Sequence, residues 1–124
     1  MRLLLDTRVV LWWLGDSPEL SAEVLELVDS EPAVYVSAAS LWEITVKQLL
    51  GSLVGPVDLA EQVRDLPFGS LPLTAEHGVR AGRLPLVHTD PFDRMLIAQA
   101  QAEGMVLVTR DRRIRQYDVE VMSV

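Results

Sequence analysis

Cysteine is absent from this chain of 124 residues, and histidine occurs only at His77 and His88. The lack of cysteine excludes a disulfide framework, thiol catalysis and thiolate zinc sites, and two histidines argue against a histidine-rich metal centre. Neither histidine has a serine or cysteine partner in a recognisable motif, so the sequence gives no support for a nucleophilic triad. This composition favours an intracellular protein.

Long apolar runs are also missing. No stretch approaches the roughly 20 apolar residues that a membrane-spanning helix needs. The first residues imitate a signal peptide, but Asp6 and Arg8 interrupt the apolar run and no small-residue cleavage site follows. We therefore expect a cytoplasmic protein that makes no contact with a membrane.

Positive charge is in the minority, and the formal net charge is −7. A protein that grips nucleic acid over a broad basic face needs many Lys and Arg residues for phosphate contacts, so that class is disfavoured. The arginines nevertheless cluster locally, because Arg110, Arg112 and Arg113 surround Asp111. They form either a basic rim around an acidic centre or an ordinary solvated face.

Length and a hydrophobic content of 49% predict a single domain over residues 1–124 with one real core. Short β-rich runs alternate with longer helical patterns, which predicts βαβ units and a mostly parallel sheet. The predicted strands are residues 2–5, 33–36, 105–109 and 119–122, and a short extended piece is expected around residues 71–73. The predicted helices are residues 9–14, a second one from Ser17-Pro18 through Val28, then 40–50, 57–66, 74–83 and 90–104.

Four acidic residues lie where these apolar segments end or begin. Asp6 and Asp111 follow all-apolar strands, whereas Glu43 and Asp93 lie near helix starts. In an open parallel α/β sheet, strand ends and helix starts converge on one edge, so the four carboxylates are expected to share a pocket. An all-oxygen acidic cluster is what Mg²⁺ or Mn²⁺ requires. The pattern therefore predicts a small metal-dependent enzyme.

Each acid also has a purely structural interpretation. Asp6 would serve as a helix cap, and Ser40-x-x-Glu43 matches a capping box in which the glutamate turns back to the helix start. For Glu43 to enter the pocket on the second turn, its helix must begin earlier, at Ser37 or Ala38.

Asp90 and Asp93 lie three residues apart on the first turn of one predicted helix, where anionic side chains are stabilised by the helix dipole. We prefer Asp93 as the ligand, because Asp90 as N-cap is already engaged with backbone amides. The hydroxyls of Thr7, Ser40 and Thr109 flank the acids and would either orient a ligand or a metal-bound water, or only cap helices.

In four segments the chain resembles the PIN-domain family and, within it, the VapC toxins of bacterial toxin–antitoxin pairs. The segments run through the chain in the family's order and are Leu3–Thr7, Ser37–Ile44 with Lys47 and Gly51 behind it, Asp90–Ala100 and Leu107–Asp111. Arg8 stands where many similar chains carry His, a departure that leaves all four acids in place.

The resemblance implies a three-layer α/β/α sandwich with a central, mostly parallel sheet. It also implies an endoribonuclease in which a metal-activated water hydrolyses RNA, and one or two Mg²⁺ or Mn²⁺ ions held by the four acids. Asp6 and Asp93 are expected to be the principal ligands, with Glu43 and Asp111 as second ligands or water-orienting groups. Phosphate contacts are predicted for three arginines: Arg94, Arg110 and Arg112. The implied partners are a second copy of the chain and a VapB-like antitoxin that covers the active site.

Other classes have less support in the residues. A phosphorelay receiver domain needs paired acids after its first strand and a late lysine, but here Thr7 follows Asp6 and Lys47 is the only lysine. A haloacid-dehalogenase-like phosphatase needs a second aspartate where this chain has Arg8. A binding or regulatory module without metal, in which the acids are only caps, stays open as an alternative.

Overall fold

Five short strands form one sheet, and every neighbouring pair of strands is parallel. A computed structural model describes all residues from 1 to 124. The strands are β1 Leu3–Leu5, β2 Val34–Ser37, β3 Gly69–Leu71, β4 Val106–Thr109 and β5 Val121–Ser123. Their spatial order is β3-β2-β1-β4-β5. The prediction of a mostly parallel sheet is confirmed, and the sheet is parallel throughout.

Six helices connect the strands. They are α1 Thr7–Leu14, α2 Ala22–Ser30, α3 Ala38–Leu49, α4 Leu59–Arg64, α5 Ala75–Arg83 and α6 Pro91–Glu103, and a short 3₁₀ turn spans Ile114–Gln116. The bounds of the six helices agree with the predicted ones to within a few residues, except at the start of α2. The short 3₁₀ turn was not predicted. None of the six has both the length and the apolar character that crossing a bilayer would require.

The sheet separates two apolar cores, and β1 contributes to both. Leu3 and Leu5 pack in the core beneath α1, α2 and α4, whereas Leu4 packs in the core beneath α5 and α6. This division follows from the alternation of side chains along a strand. Helix α3 contributes Ile44 to the first core and Ala39 to the second. The expected three-layer α/β/α sandwich is confirmed.

The predicted start of α2 at Ser17-Pro18 is wrong. The helix begins after Ser21, whose hydroxyl accepts a hydrogen bond of 3.2 Å from the backbone N–H of Val24. The hydroxyl of Ser17 instead accepts from the N–H of Glu19 within a preceding turn. Both serines are suitable N-cap residues. Only Ser21 accepts a hydrogen bond from the N–H three residues later, as an N-cap does, and the helix begins after it.

The strand order places a topological switch point between β1 and β4. From β1 the chain moves outward through β2 and β3, then returns to form β4 on the other side of β1. The two connections leave β1 and β4 in opposite directions, which opens a crevice at their carboxyl ends. The N–H of Asp6 donates to the carbonyl of Val108 across this point, at 3.0 Å.

Two glycines provide a matched test of the backbone. Gly104 ends α6 with a φ of 66°, in the left-handed region, whereas Gly82 lies inside α5 and a Cβ there would meet no heavy atom within 4 Å. We expect Gly104→Ala to lower the free energy of unfolding by about 1 kcal/mol, and Gly82→Ala to raise it by about 0.5–1 kcal/mol. Urea denaturation of the two variants measures this, and shifts of the same sign would contradict the assigned conformations.

Candidate active site

A cleft of about 1170 Å³ lies at the switch point between β1 and β4. Its lining includes all four predicted acids and also Asp90. Asp6 follows β1 directly, Asp111 follows β4, Glu43 lies on α3, and Asp93 lies on the first turn of α6. Folding therefore brings together the side chains that the sequence placed at strand ends and helix starts.

Asp6 is a buried carboxylate that belongs to the cleft. It occupies the N-cap position of α1, but its side chain makes no capping hydrogen bond. Its Oδ2 instead accepts a hydrogen bond of 2.7 Å from the hydroxyl of Thr109. Burial raises the pKa of Asp6 and the negative charge of Glu43 adds to this rise, while the Thr109 bond opposes it. The capping interpretation of Asp6 is wrong.

Glu43 enters the cleft because α3 begins earlier than its capping-box pattern suggests. The N-cap is Ser37, whose hydroxyl accepts from the N–H of Ala39 at 3.0 Å. Glu43 therefore lies on the second turn, where it is buried, and the Ser40–Glu43 capping box is wrong. Its Oε2 lies 2.5 Å from the Nζ of Lys47, whereas its Oε1 is buried without a hydrogen-bond partner.

The three predicted supporting hydroxyls link the elements that carry the acids. Thr7 donates to the hydroxyl of Ser40 at 2.8 Å, which joins α1 to α3. Thr109 donates to Asp6 and also accepts from the N–H of Asp111 at 3.1 Å. One hydroxyl at the end of β4 thus orients the residues that follow both central strands.

Asp90 is the N-cap of α6, as predicted. Its Oδ1 accepts hydrogen bonds from the N–H groups of Phe92 and Asp93, at 2.8 and 3.1 Å. Pro91 occupies the first turn, where its missing N–H has no partner to lose. One carboxylate oxygen of Asp90 is therefore engaged by the backbone. Asp93 is the acid of this helix that faces the other carboxylates.

Asp93 has a strongly perturbed carboxyl group in the cleft. Burial raises its pKa from 3.8 to about 7, together with the negative charges of Asp6, Asp90 and Glu43. Carboxylates that share a poorly solvated site cannot all ionise without cost. A proton or a cation is therefore needed to neutralise this cluster at neutral pH.

His88 is the principal side chain of the cleft that the sequence analysis missed. Its Nε2 lies 2.8 Å from Oδ2 of Asp93 and 3.3 Å from Oδ2 of Asp111. Its Nδ1 accepts from the N–H of Asp90 at 3.3 Å, so in the neutral ring the proton lies on Nε2, between the two carboxylates. The sequence offered one indication of this role, because His88 lies in the loop that leads directly into α6 and its acids.

Asp111 lies at the outer side of this group. Burial acts to raise its pKa, but the hydrogen bonds and positive charge of Arg113 outweigh it and hold the pKa below its ordinary value. Nε and Nη2 of Arg113 lie 3.3 and 3.1 Å from the two carboxylate oxygens. Ligand atoms of His88, Asp93 and Asp111 all lie within 4.8 Å of one another.

The prediction that Arg94 contacts phosphate is wrong. Its guanidinium is buried and donates to five backbone carbonyls at 2.8–3.4 Å, which belong to Ala81, Gly82, Leu84, Pro85 and His88. Successive residues of a helix differ by about 100° in direction. Arg94 therefore points away from the cleft that its neighbour Asp93 enters.

The other two predicted arginines do line the cleft. Arg110 is engaged on its outer side, where it pairs with Glu19, donates to the carbonyl of Val124 at 2.8 Å and lies 4.4 Å above the ring of Trp12. Arg112 is exposed at the cleft. Arg8 is also exposed there, so the cleft has a cationic rim around an acidic floor.

The donor set fits a hard divalent cation. It consists of carboxylate oxygens with a single imidazole, a combination that suits Mg²⁺ or Mn²⁺ better than a soft metal. Two observations fit a bound cation: the unpartnered Oε1 of Glu43 and the elevated pKa of Asp93. Both describe negative charge that the protein's own groups leave unbalanced.

Solved structures share this architecture. The chain is similar to a chain of VapBC2 from Rickettsia felis bound to a DNA fragment from its promoter, with a TM-score of 0.76 and 16% identity over 99% of this chain and 98% of that one. It is also similar to FitAcB from Neisseria gonorrhoeae, with a TM-score of 0.70 and 22% identity over 98% and 96% of the two chains. At such identities the likeness shows the fold.

Sequence comparison gives the closer relationship. Ribonuclease VapC22 of Mycobacterium tuberculosis is 32% identical over 123 residues, which cover 93% of this chain and 91% of that protein. The PIN domain family model matches residues 3–120. The chain belongs to the PIN domain family and, within it, to the VapC group.

Proposed function

We propose that this chain is a metal-dependent endoribonuclease and acts as the toxin of a toxin–antitoxin pair. The observation that carries the proposal is the convergence of buried carboxylates from separate elements on one cleft at the switch point of the sheet. Membership of the PIN domain family and similarity to a protein named as a ribonuclease support the same reaction. Residues 1–124 are proposed to act as one catalytic domain.

Asp6 and Asp93 are proposed as the principal metal ligands, with Glu43 and Asp111 as second ligands or water-orienting groups. When bound, Mg²⁺ or Mn²⁺ lowers the pKa of water and neutralises charge that develops on a phosphodiester. Because Asp93 and Asp111 share the Nε2 proton of His88, the histidine holds both carboxylates in a fixed orientation. Thr109 does the same for Asp6.

The residues of the chain then serve mainly to position and neutralise, which is what phosphoryl chemistry requires. The cleft contains no serine–histidine or cysteine–histidine pair that would supply a protein nucleophile. The resemblance to PIN nucleases implies water as the nucleophile and products that carry a 5′-phosphate and a 3′-hydroxyl. Arg8 and Arg112 are exposed at the rim and are proposed to contact the RNA backbone. Arg110 would join them on release from Glu19.

Partners are proposed on the same basis. An acidic cleft suits inhibition by a basic segment, so we propose that a VapB-like antitoxin covers the site. The solved structures to which the chain is similar include VapBC complexes, which supports this partner class. A homodimer is proposed from the resemblance to VapC toxins.

The nuclease proposal is tested by incubating the purified protein with total RNA in Mn²⁺ or in EDTA. We expect cleavage in Mn²⁺ alone, and a loss of roughly a thousandfold or more in Asp6→Asn, because a ligand carboxylate is removed. Asp16→Asn is the matched control, since Asp16 is exposed at a φ of 51°, a conformation that asparagine also adopts. Cleavage in EDTA, or by Asp6→Asn, would contradict the proposed metal-dependent mechanism, whereas no cleavage by the wild type in Mn²⁺ would favour a binding module in which the acids are structural.

The toxin role is tested separately by growth. Expression of the chain alone is expected to arrest growth, and co-expression of its antitoxin to restore it, while Asp6→Asn is expected to be harmless. Growth arrest that Asp6→Asn also causes would contradict toxicity through RNA cleavage.

A further inference from the structure

Lys47 is a half-exposed cation in the acidic cleft, and it is the only lysine of the chain. It lies one turn after Glu43 on α3, and its Nζ is 2.5 Å from Oε2 of that residue. The side chain of Lys47 is 42% exposed, whereas that of Glu43 is 6% exposed. The carboxylate is therefore a buried anchor, and the ammonium group stands between the anchor and the open cleft.

The backbone at Lys47 is fixed as well. Its carbonyl accepts hydrogen bonds from the N–H groups of Ser52 and Leu53, at 2.9 and 3.2 Å. Those two residues also line the cleft, so the end of α3 and the following turn form one rigid wall. The backbone of Lys47 is thus held at a defined point of the cleft wall, from which its side chain reaches Oε2 of Glu43.

The charges around Lys47 are those of the acidic residues of the cleft. The hydrogen bond to Glu43 raises the pKa of Lys47, burial opposes the rise, and the charges of Glu43, Asp90 and Asp93 add to it. The other cations of the cleft come from elsewhere, since Arg8 lies on α1 and the arginines at 110, 112 and 113 follow β4. Lys47 is therefore the only positive side chain that α3 contributes to the cleft.

A purely structural role explains this arrangement poorly. The side chain of Lys47 is 42% exposed, so water weakens its attraction for the buried carboxylate of Glu43. Moreover, the pair leaves Oε1 of Glu43 buried and without a partner, so it does not satisfy the carboxylate fully. A lysine placed in this way has the properties of a phosphate-binding point charge.

We infer that Lys47 binds a phosphate oxygen of the RNA substrate and that Glu43 holds it at the cleft until the substrate arrives. The inference rests on the proposed nuclease function and adds a substrate-binding residue to it. On this view the ammonium group leaves or shares Oε2 of Glu43 when a phosphate enters, and the carboxylate becomes free for a divalent cation. Lys47 then contacts the phosphate, while the divalent cation is held by the carboxylate. Loss of Lys47 is therefore expected to weaken RNA binding without weakening metal binding.

The test compares Lys47→Met, which keeps the aliphatic stem, with Lys47→Arg, which keeps the charge. In Mn²⁺ we expect kcat/KM for RNA cleavage to fall about 10–100-fold in Lys47→Met, the range for a lost hydrogen bond to a charged group, and to stay within about fivefold of the wild type in Lys47→Arg. The slope of log RNA affinity against log salt is expected to fall by about 0.7 in Lys47→Met, the value for one phosphate contact on a single strand.

Metal binding gives the readout that a merely structural role would not produce. Mn²⁺ affinity, measured by electron paramagnetic resonance of free Mn²⁺, is expected to stay equal or to tighten several-fold in Lys47→Met, because a nearby positive charge is removed. Parallel losses of Mn²⁺ affinity and cleavage would overturn the inference, since they would mean that Lys47 only supports Glu43.

The matched control is Arg80→Met, which breaks another ion pair between residues four apart, with Glu76 on α5 and outside the cleft. It is expected to cleave RNA as the wild type does. Thermal melting of each variant verifies folding, and Lys47→Gln replaces Lys47→Met if the latter melts earlier. If Lys47→Gln and Lys47→Met both cleave RNA at the wild-type rate, the proposed role of Lys47 is overturned and the nuclease function is not. If the wild-type protein is inactive in Mn²⁺, the nuclease function and this inference are overturned together.

Discussion

Replacing Asp93 by asparagine is expected to abolish RNA cleavage and, in the absence of metal, to stabilise the protein at pH 8. The pKa of Asp93 is raised from 3.8 to about 7 by burial and by the charges of Asp6, Asp90 and Glu43. Since each pKa unit corresponds to about 1.4 kcal/mol, ionising Asp93 in the folded state costs up to about 4 kcal/mol. Asparagine carries no charge and avoids this cost. We expect a gain of about 2–4 kcal/mol in the free energy of unfolding at pH 8.

The pH dependence has a definite sign. Between pH 3.8 and about 7 the folded protein retains a proton on Asp93 that the unfolded chain has released. Stability of the metal-free wild type therefore falls as the pH rises through this window. Asp93→Asn lacks this contribution, so its advantage over the wild type is expected to be largest at pH 8 and to vanish near pH 4.

Urea denaturation in EDTA at pH 5, 6.5 and 8 measures the effect. Asp111→Asn is the matched control, because Arg113 holds the pKa of Asp111 low and its removal is expected to bring no gain at pH 8. Adding Mn²⁺ at pH 8 is expected to stabilise the wild type and not Asp93→Asn, since only a form that binds the ion is stabilised by it. Parallel pH profiles of the wild type and Asp93→Asn would show that Asp93 does not carry the excess charge of the cleft.

Local patterns were sufficient to place the acids, because their positions follow from strand ends and helix starts. Asp6 follows a strand that is apolar at every position, and such strands are buried on both faces, so its place at the crevice could be predicted. Asp90 before Pro91 indicated the N-cap of α6, which left Asp93 for the cleft. The sequence could not decide between two starts for α3, since Ser37 and Ser40 both suit a cap.

Side chains whose role depends on distant parts of the chain were beyond these patterns. His88 lies in a loop, and its contact with Asp111 joins residues that are far apart in sequence and meet only after α6 and β4 have packed. Lys47 was an intermediate case: its spacing of four from Glu43 predicts an ion pair on a helix, but not that the pair faces the cleft. Arg94 was misassigned because it directly follows Asp93 in the sequence, although the two side chains point in different directions from the helix.

Replacing Arg94 by methionine is expected to destabilise the fold by roughly 3–5 kcal/mol, the range for breaking a buried charged interaction. The guanidinium donates to five carbonyls in the segment from Ala81 to His88. Only two of these carbonyls, those of Pro85 and His88, have another side-chain donor, which is the hydroxyl of Tyr117 at 2.7 and 3.4 Å. Without Arg94, buried carbonyl oxygens lose their partners. Because the same segment carries His88, cleavage is expected to weaken as well.

Urea denaturation of Arg94→Met, Arg94→Lys and Arg83→Met distinguishes an anchor from a phosphate contact. Arg83 is exposed on α5, so its replacement is expected to change the free energy of unfolding by less than about 0.5 kcal/mol. Lysine cannot reproduce the planar fork of five donors, and Arg94→Lys is therefore expected to lose most of the stability that Arg94→Met loses. If Arg94→Met unfolds at the same urea concentration as the wild type yet fails to cleave RNA, Arg94 contacts the substrate and is not a structural anchor. The buried geometry requires the opposite result, in which stability falls first and activity falls because the loop bearing His88 is no longer held.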